Sequence, residues 1–290
     1  MWGEGILRET QQTNDLIQTG VCWCEMHVTS ELRELVVAAR ENERALQGQI
    51  RDPESVARAV AIADVDAAKA LAADPALNTE ELFARCFALK GEPLNQAPAR
   101  RDMRERIRIW RRLTRGDTQT PRSVDELFAL WEEAVAGEYP VYRESATAGF
   151  RTGIPFVEAF GRPRLAEIPP EKETVAPADI ARETDALLAF LGRSDIEAEL
   201  HAAAAAFALV YIHPFRDGNG HTHRMLTCSM LAKRYSPATL LTFVRARQAA
   251  RHEESRLIER IVQERADIGA YARFVLEKLC EAQESLRLRQ

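Results

Sequence analysis

The chain has 290 residues, of which 46% are hydrophobic, so it is long enough to bury a sizeable core. Its 39 basic and 44 acidic residues give a net charge of −5, which excludes a general nucleic-acid binder with a basic surface. The first residues lack the pattern of a secretion signal, and the longest apolar run, residues 202–212, is far shorter than the ~20 residues that span a bilayer. Five scattered cysteines are typical of free thiols in a reducing cytosol. We therefore expect a cytoplasmic protein, with delivery into another cell left open.

The N-terminal half has the pattern of amphipathic helices. In residues 28–46 and 55–73, apolar residues return every three or four positions among good helix formers. Asn78 is a residue type that caps helix starts and predicts a further helix. Ser123 begins the pattern of a capping box, which predicts a helix that runs to Gly137.

Residues 100–114 carry many arginines, but the apolar residues Met103, Ile107 and Trp110 fall at helical spacing. This pattern predicts an amphipathic helix whose basic face meets solvent. A docking face for an acidic partner is the alternative interpretation.

The character of the sequence changes at residues 149–170, which hold glycines, prolines and short apolar pieces at 154–160 and 165–168. This composition predicts a short β-hairpin. Beyond it, further helices are predicted at 197–212, 220–235, 245–264 and 269–286, of which the first is alanine-rich, almost wholly apolar and therefore buried.

The stretch from His213 to Arg224 reads HPFRDGNGHTHR and lies between two predicted helices. The start of the second helix offers unpaired N–H groups and a partial positive charge, and this combination binds phosphate. Gly218 and Gly220 let the backbone curl closely around phosphates, and Asn219 can add a side-chain donor.

The other side chains of this stretch complete a predicted nucleotide site. With a reference pKa near ~6.5, His213 can take the proton of an attacking hydroxyl as a general base. Asp217 supplies a hard oxygen ligand for a Mg²⁺ ion that bridges phosphates. Arg224 supplies a planar, permanently charged fork for a terminal phosphate. Phe215 is expected to anchor the loop in the core, and Arg216 is counted among the nucleotide-binding residues.

Simpler interpretations compete with this one. An isolated Gly-Asn-Gly is usually a turn, and a lone histidine is usually structural. A zinc site built from His213, His221 and His223 is another alternative, but residues two positions apart face different sides of a helix. The occurrence of the base, the acid, the glycines and the arginine together between two helices favours the nucleotide site.

The stretch resembles the signature loop of the Fic (Fido) family, written HPFx(D/E)GNGRxxR, and eleven of its twelve residues fit that pattern. The resemblance extends over about residues 123–279, and residues 149–170 are similar to the β-hairpin flap of the family. It implies a mainly α fold, a helical bundle with a small flap beside the active-site loop. We divide the chain accordingly into an N-terminal helical region, residues 1–115, and a Fic core with C-terminal helices, residues 116–290.

Family members move a nucleoside monophosphate, most often AMP from ATP with Mg²⁺, onto a Ser, Thr or Tyr hydroxyl of a target protein. The resemblance implies that the flap holds that target, while self-association is left open.

His221 stands where the family has its first arginine, which is expected to contact the β-phosphate. Losing one charge-assisted hydrogen bond costs about 1.5–3 kcal/mol, or roughly 10- to 100-fold. This departure leaves three interpretations open. The first is a slower AMP transferase, the second is an enzyme with another donor such as CDP-choline or UTP, and the third is a degenerate nucleotide-binding module with little catalysis.

Many family members carry an inhibitory helix with the pattern (S/T)xxxE(G/N), whose glutamate pairs with the second motif arginine. The segment at a similar distance before the motif is residues 86–91, where Cys86 and Lys90 replace the hydroxyl residue and the glutamate. Poorer candidates at residues 43–48 and 255–260 are also incomplete. We therefore expect no intact inhibitory motif. Lys90 is either a solvated helix-end lysine or a phosphate ligand that restores the positive charge missing at His221.

Overall fold

The computed structural model describes residues 16–22, 24–49, 97–135, 150–151, 157–159, 162–164, 174–215 and 217–287. Within these ranges nine α-helices, two short antiparallel sheets and one 3-10 turn (Pro177–Asp179) are found. In chain order they are β1 (Leu16–Gln18), β2 (Glu25–His27), α1 (Ser30–Gln49), α2 (Ala97–Thr114), α3 (Val124–Val135), β3 (Val157–Ala159), β4 (Arg162–Arg164), α4 (Ile180–Leu191), α5 (Ala198–Ile212), α6 (Asn219–Leu231), α7 (Pro237–Ala249), α8 (Arg251–Glu264) and α9 (Gly269–Arg287). The predicted mainly α fold is confirmed.

Helix α5 is the centre of the bundle, and every residue from Glu199 to Leu209 is buried. Its alanines leave little side-chain volume, so α4, α6 and α9 pack directly against it. An apolar surface on all sides is what a central helix needs, because it has no solvent face. The predicted burial of this helix is confirmed. Its position fixes the loop that follows, since residues 213–218 join the end of α5 to the start of α6.

Helices α1 and α3 agree with their sequence patterns. At the start of α3 the backbone N–H of Glu126 donates to Oγ of Ser123 at 3.2 Å, as a capping box requires. The carboxylate of Glu126 accepts the backbone N–H of Arg122 at 2.7 Å. The helices predicted at residues 55–73 and from Asn78, and the expected end at Gly137, lie outside the described residues.

Helix α2 is present, but its basic face is not wholly solvated. Arg106, Arg108 and Arg112 are only 1–7% exposed. One terminal nitrogen of Arg106 donates to Oε1 of Gln248 at 2.6 Å, and Nε of Arg112 donates to Oγ of Ser229 at 2.9 Å. The prediction of a solvent-facing basic side is therefore wrong for these three arginines. The polar groups of α6 and α7 that receive them are far away in sequence, and no period in α2 reveals them.

The flap is represented by β3 and β4, which pair antiparallel with Val157 opposite Arg164. This confirms a hairpin within residues 149–170. Its second strand, at 162–164, lies before the apolar piece 165–168, which is outside the described residues. The second short sheet, β1 with β2, is a hairpin that the sequence reading missed.

The C-terminal third contains one more helix than predicted. Instead of a single helix over 245–264, α7 ends at Ala249 and α8 begins at Arg251. Ser236 and Pro237 start α7 as a capping residue and a first-turn proline, and Oγ of Ser236 accepts the N–H of Thr239. The sequence reading missed this signal, and it also missed α4. Among the described residues no helix is long and apolar enough to cross a membrane.

Candidate active site

The loop between α5 and α6 begins with a reversal of the chain at His213. This residue ends α5 in the left-handed conformation (φ 50°, ψ 54°), and its backbone N–H donates to the carbonyl of Leu209 at 3.0 Å. Left-handed backbone is costly for a residue with a side chain, by about 1–2 kcal/mol. The surrounding contacts therefore have to hold His213 in place.

The imidazole of His213 is arranged to remain neutral. Its Nδ1 lies 3.2 Å from the carbonyl oxygen of Val210, which makes Nδ1 the protonated nitrogen and leaves the lone pair on Nε2. Burial lowers the pKa of His213 to about 4. The side chain is nevertheless partly exposed. A neutral ring nitrogen with a lone pair is what a general base requires.

Arg151 holds the backbone at this point. Its Nε donates to the carbonyl of His213 at 2.6 Å, and its own backbone N–H donates to the carbonyl of Pro214 at 3.0 Å. The sequence reading included this residue in the flap segment but gave it no role.

Gly218 caps the start of α6 with φ +81°. A Cβ at this position would lie 2.4 Å from Cγ1 of Val135 and 2.9 Å from Nε1 of Trp131, so only glycine fits. The carbonyl of Gly218 accepts both the backbone N–H and the hydroxyl of Thr222, each at 2.9 Å. Gly220 lies within the first helical turn, and a Cβ there would make ordinary contacts with the Arg224 guanidinium.

The side chain of Asn219 braces the loop from inside. Its Oδ1 accepts the backbone N–H of Phe215 at 3.1 Å, and its Nδ2 donates to the carbonyl of Phe215 at 2.8 Å. Asn219 is 2% exposed. The expected contact of Asn219 with a phosphate stays a prediction, and the observed role of its amide is to fix the curve of the loop.

Aromatic packing anchors the same loop. Phe215 is 2% exposed, stacks on Trp131 with ring centroids 5.2 Å apart, and meets Phe128 edge-on at 5.3 Å. Nε1 of Trp131 donates to the backbone carbonyl of Asp217 at 2.8 Å. The expected anchoring by Phe215 is confirmed, whereas the contribution of Trp131 was missed because it comes from α3.

The carboxylate of Asp217 is half-buried, and its Oδ1 accepts the backbone N–H of Gly218 at 2.5 Å. Within the described part of the chain, no group of three or more His, Cys, Asp or Glu side chains is placed to hold a metal ion. The expected Mg²⁺ contact of Asp217 stays a prediction. One protein carboxylate can serve it, because proteins often hold Mg²⁺ through one or two carboxylates together with substrate phosphates.

The far end of the motif is occupied by an acid. Glu105 of α2 accepts two hydrogen bonds from Arg224, from Nε at 2.5 Å and from a terminal nitrogen at 3.0 Å. Nδ1 of His221 lies 3.0 Å from Oε2 of Glu105, and Nε2 of Gln248 donates to the same oxygen at 2.9 Å. Both motif positions that were predicted to contact phosphates are thus turned toward one carboxylate.

Glu105 is 1% exposed. Burial alone would raise the pKa of its carboxyl group, but the nearby Arg224 and His221 hold it well below the usual range. Glu105 is therefore ionised at neutral pH in the folded protein.

Sequence reading missed this acid because its surroundings do not match the inhibitory pattern. Arg101 stands four residues before Glu105 and Arg106 follows it, where the pattern has a hydroxyl residue and Gly or Asn. The predicted contact of Arg224 with a phosphate stays a prediction, and in this structure its guanidinium pairs with Glu105. Lys90 and Arg216, the remaining predicted nucleotide-binding residues, lie outside the described residues.

A second buried polar cluster lies behind the motif. Nε2 of His223 is 2.8 Å from a terminal nitrogen of Arg247, which also donates to Tyr271 at 2.8 Å and to Glu254. Nδ1 of His223 lies 3.2 Å from the carbonyl of Asn219, and burial lowers the pKa of His223 to about 4. This cluster fixes α6 against α7, α8 and α9.

Comparison with known proteins agrees with this geometry. Residues 121–231 match the model of the Fic/DOC family. A 72-residue part is 39% identical to the protein adenylyltransferase Fic of Nematostella vectensis, covering 23% of this chain and only 17% of that relative's length.

Two solved structures share the fold. A Fic family protein from Desulfovibrio desulfuricans aligns over 89% of this chain and 74% of its own, with a TM-score of 0.57 and 17% identity. Fic-1 from C. elegans aligns over 89% of this chain and 72% of its own, with a TM-score of 0.52 and 17% identity. The motif loop and the hairpin both lie within the matched region, and residues 121–231 of this chain carry a Fic (Fido) domain.

Proposed function

We propose that this protein transfers AMP from ATP to a Ser, Thr or Tyr hydroxyl of a target protein. The observation that carries the proposal is the neutral imidazole of His213, a partly exposed residue in the loop that leads into α6. It supports the proposal because a candidate base and a helix start that can bind phosphate then belong to one short loop.

In the proposed reaction, Nε2 of His213 accepts the proton of the target hydroxyl as its oxygen attacks the α-phosphorus. The new O–P bond forms while the bond from the α-phosphorus to the bridging oxygen breaks, and pyrophosphate leaves with that oxygen. The N–H groups at the start of α6 and the loop around Gly218 hold the phosphates. Base catalysis of this kind contributes typically about 10²- to 10⁴-fold.

Asp217 is the side chain that would hold Mg²⁺ in this loop. The ion would neutralise charge on the donor's phosphates when bound. The hydrogen bond from the Gly218 N–H to Oδ1 orients the Asp217 carboxylate.

We further propose that Glu105 restrains the enzyme. A γ-phosphate can reach Arg224 only after it displaces a carboxylate that already takes two hydrogen bonds from that guanidinium. In this proposal Glu105 takes the role of the family's inhibitory glutamate, although the residues that flank it do not match the inhibitory pattern. Nδ1 of His221 lies 3.0 Å from the same carboxylate.

A nucleotide-binding module with little catalysis is the second candidate. The observation that favours it is the same Glu105 cluster, because both motif positions for the outer phosphates are occupied. A donor without a γ-phosphate, such as CDP-choline, is a third candidate for the same reason. For either transferase, the target protein would dock on the flap that contains β3 and β4. We propose that the reaction takes place in the cytoplasm.

The deciding experiment is incubation of the protein with ATP, UTP, GTP or CDP-choline, each labelled in the transferred group, with and without Mg²⁺, followed by detection of label on protein. Wild type and Glu105→Gln are compared in parallel. Label from ATP that increases in Glu105→Gln supports the restrained AMP transferase. Label from CDP-choline or UTP alone identifies another donor. Nucleotide binding without label from any donor in either protein supports the binding module.

A further inference from the structure

Arg151 joins three pieces of chain that meet behind the motif loop. One terminal nitrogen donates to the carbonyl of Val175 at 2.5 Å, to that of Ile212 at 3.3 Å and to Oγ1 of Thr174 at 3.2 Å. Its Nε donates to the carbonyl of His213 at 2.6 Å. Arg151 precedes β3, whereas Thr174 and Val175 follow β4, so one guanidinium connects both ends of the flap segment to the last turn of α5.

We propose that Arg151 is a positioning residue that ties the flap to His213 and holds the imidazole in its reactive orientation. This inference rests on the proposed function, because it assigns Arg151 a role through the general base. Nothing in the motif pattern itself points to it.

The geometry explains why an arginine is suited to this position. A carbonyl at the end of a helix has no partner within that helix, and the left-handed backbone at His213 points its carbonyl away from α5. The planar fork of Arg151 reaches that carbonyl and the carbonyl of Ile212 at once, so the peptide planes on both sides of the turn are fixed. Arg151 is 6% exposed, and water therefore does not easily replace it.

The charge of Arg151 also acts on the base. The titratable or charged groups that face His213 are Arg151 at the start of the flap, Asp217 in the loop and His223 of α6. Burial is the main cause of the low pKa of His213, and the positive charge of Arg151 lowers it further. Removing that charge must raise the pKa of the imidazole, whereas a lysine that keeps the charge should leave it low.

The test compares Arg151→Met, Arg151→Lys and a control, Arg112→Met. Arg112 is similarly buried, at 7% exposure, but its contacts with Ser229, Gln119 and Glu133 do not involve the motif loop. Thermal unfolding of all three variants shows whether the folded state survives. The imidazole of His213 is then titrated by nitrogen NMR in each folded protein, which reads both its pKa and which nitrogen is protonated. ATP affinity and kcat of labelling are measured alongside.

We expect Arg151→Met to raise the pKa of His213 and to mix its two tautomers, while Arg151→Lys retains the low pKa. Both variants should lower kcat by roughly 10- to 100-fold with ATP affinity unchanged, because a misplacement of about 1 Å is worth that much. Arg112→Met should change neither the titration nor kcat. An unchanged titration and tautomer in Arg151→Met would overturn the proposal.

The two proposals can fail separately. If wild type labels no protein but the titration of His213 still depends on Arg151, the transferase proposal fails and the hold on His213 stands. If wild type labels and kcat is the same in Arg151→Met, the positioning role is wrong and the transferase proposal stands.

Discussion

The two ends of the motif, residues 213–224, have different surroundings. At its start, the imidazole of His213 contacts a backbone carbonyl three residues earlier, and the side chain remains neutral and partly exposed. At its end, the side chains of His221 and Arg224 both face the carboxylate of Glu105, which belongs to α2. The imidazole is thus neutral, as the proposed base must be, while the arginine is paired with an acid. This difference teaches that two positions of one short motif can meet opposite surroundings.

The largest expected effect is on the labelling rate and comes from replacing His213. His213→Ala removes the base, so labelling should fall by roughly 10²- to 10⁴-fold while ATP affinity stays the same. A labelling assay with calorimetry on the same preparations measures both.

The matched control is His201→Ala. His201 is a buried histidine within α5, whose Nε2 contacts the carbonyl of Phe190 at 2.9 Å, away from the loop. It should lose stability but keep its labelling rate per folded molecule. Wild-type labelling in His213→Ala would remove the base assignment.

The next effect concerns the turn between the two ends. In Gly218→Ala the new Cβ would overlap Cγ1 of Val135 and would force a side chain onto a backbone with φ +81°. The left-handed conformation and the overpacking together should lower the free energy of unfolding by about 2–5 kcal/mol.

Gly220→Ala is the comparison for this turn, since a Cβ there meets ordinary contacts within a helix. It should be neutral or slightly stabilising. Denaturant unfolding of both variants measures the difference, and equal losses at the two glycines would show that the turn is not under this constraint.

A smaller effect is expected on ATP affinity when Glu105, the partner of Arg224, is replaced. Glu105→Gln removes the anion that holds Arg224, so ATP should bind roughly 10- to 100-fold more tightly, the equivalent of about 1.5–3 kcal/mol. The variant should also melt at a lower temperature without ATP, because Arg224 loses its buried counter-charge.

Asp102→Asn is the control on the same helix. Asp102 is 4% exposed and pairs with Arg251 at 3.0 Å, not with the motif. Its ATP affinity should equal that of wild type. If the ATP affinity of Glu105→Gln also equals that of wild type, Glu105 does not compete with the donor for Arg224. Adding Arg224→Ala to Glu105→Gln should abolish the gain, because the competition needs both partners.

The smallest expected effect is that of pH. Burial lowers the pKa of His213 to about 4, and in the proposed reaction the neutral imidazole is the active form. The labelling rate should therefore vary by less than about twofold between pH 5.5 and 7.5 and should fall as the pH drops through about 4, provided the protein stays folded. A pH series of kcat, limited to the range where circular dichroism shows native structure, tests this. A midpoint near 6.5 would mean that the imidazole is fully solvated in the working enzyme.

The same shift affects stability. His213 and His223 both have a pKa of about 4 in the folded state and would titrate near ~6.5 when unfolded, so the unfolded state binds more protons below that value. The stability that the two neutral histidines contribute to the folded state is therefore fully present above pH ~6.5. It is lost as the pH falls from there toward 4.

The sequence by itself determined the features that depend on neighbouring residues. A few neighbouring residues encode each of these features, which are the apolar surface of α5, the capping box at Ser123 and the loop that begins at His213. Local periodicity and hydrogen-bonding chemistry are sufficient to predict them. The break between α7 and α8 at Ala250 was not predicted, because no glycine or proline marks it.

Only the tertiary structure decided which distant groups meet the motif. Glu105, Trp131 and Arg151 reach the loop from α2, α3 and the start of the flap. Each pairs with a partner 62 or more residues away, and a one-dimensional pattern carries no record of such distances. The buried arginines of α2 show the same point, since a basic helix face looks solvated until the groups that receive it are packed against it. The loop could therefore be recognised from neighbouring residues alone. Which distant side chains pair with its motif residues was decided by the packing of the helices.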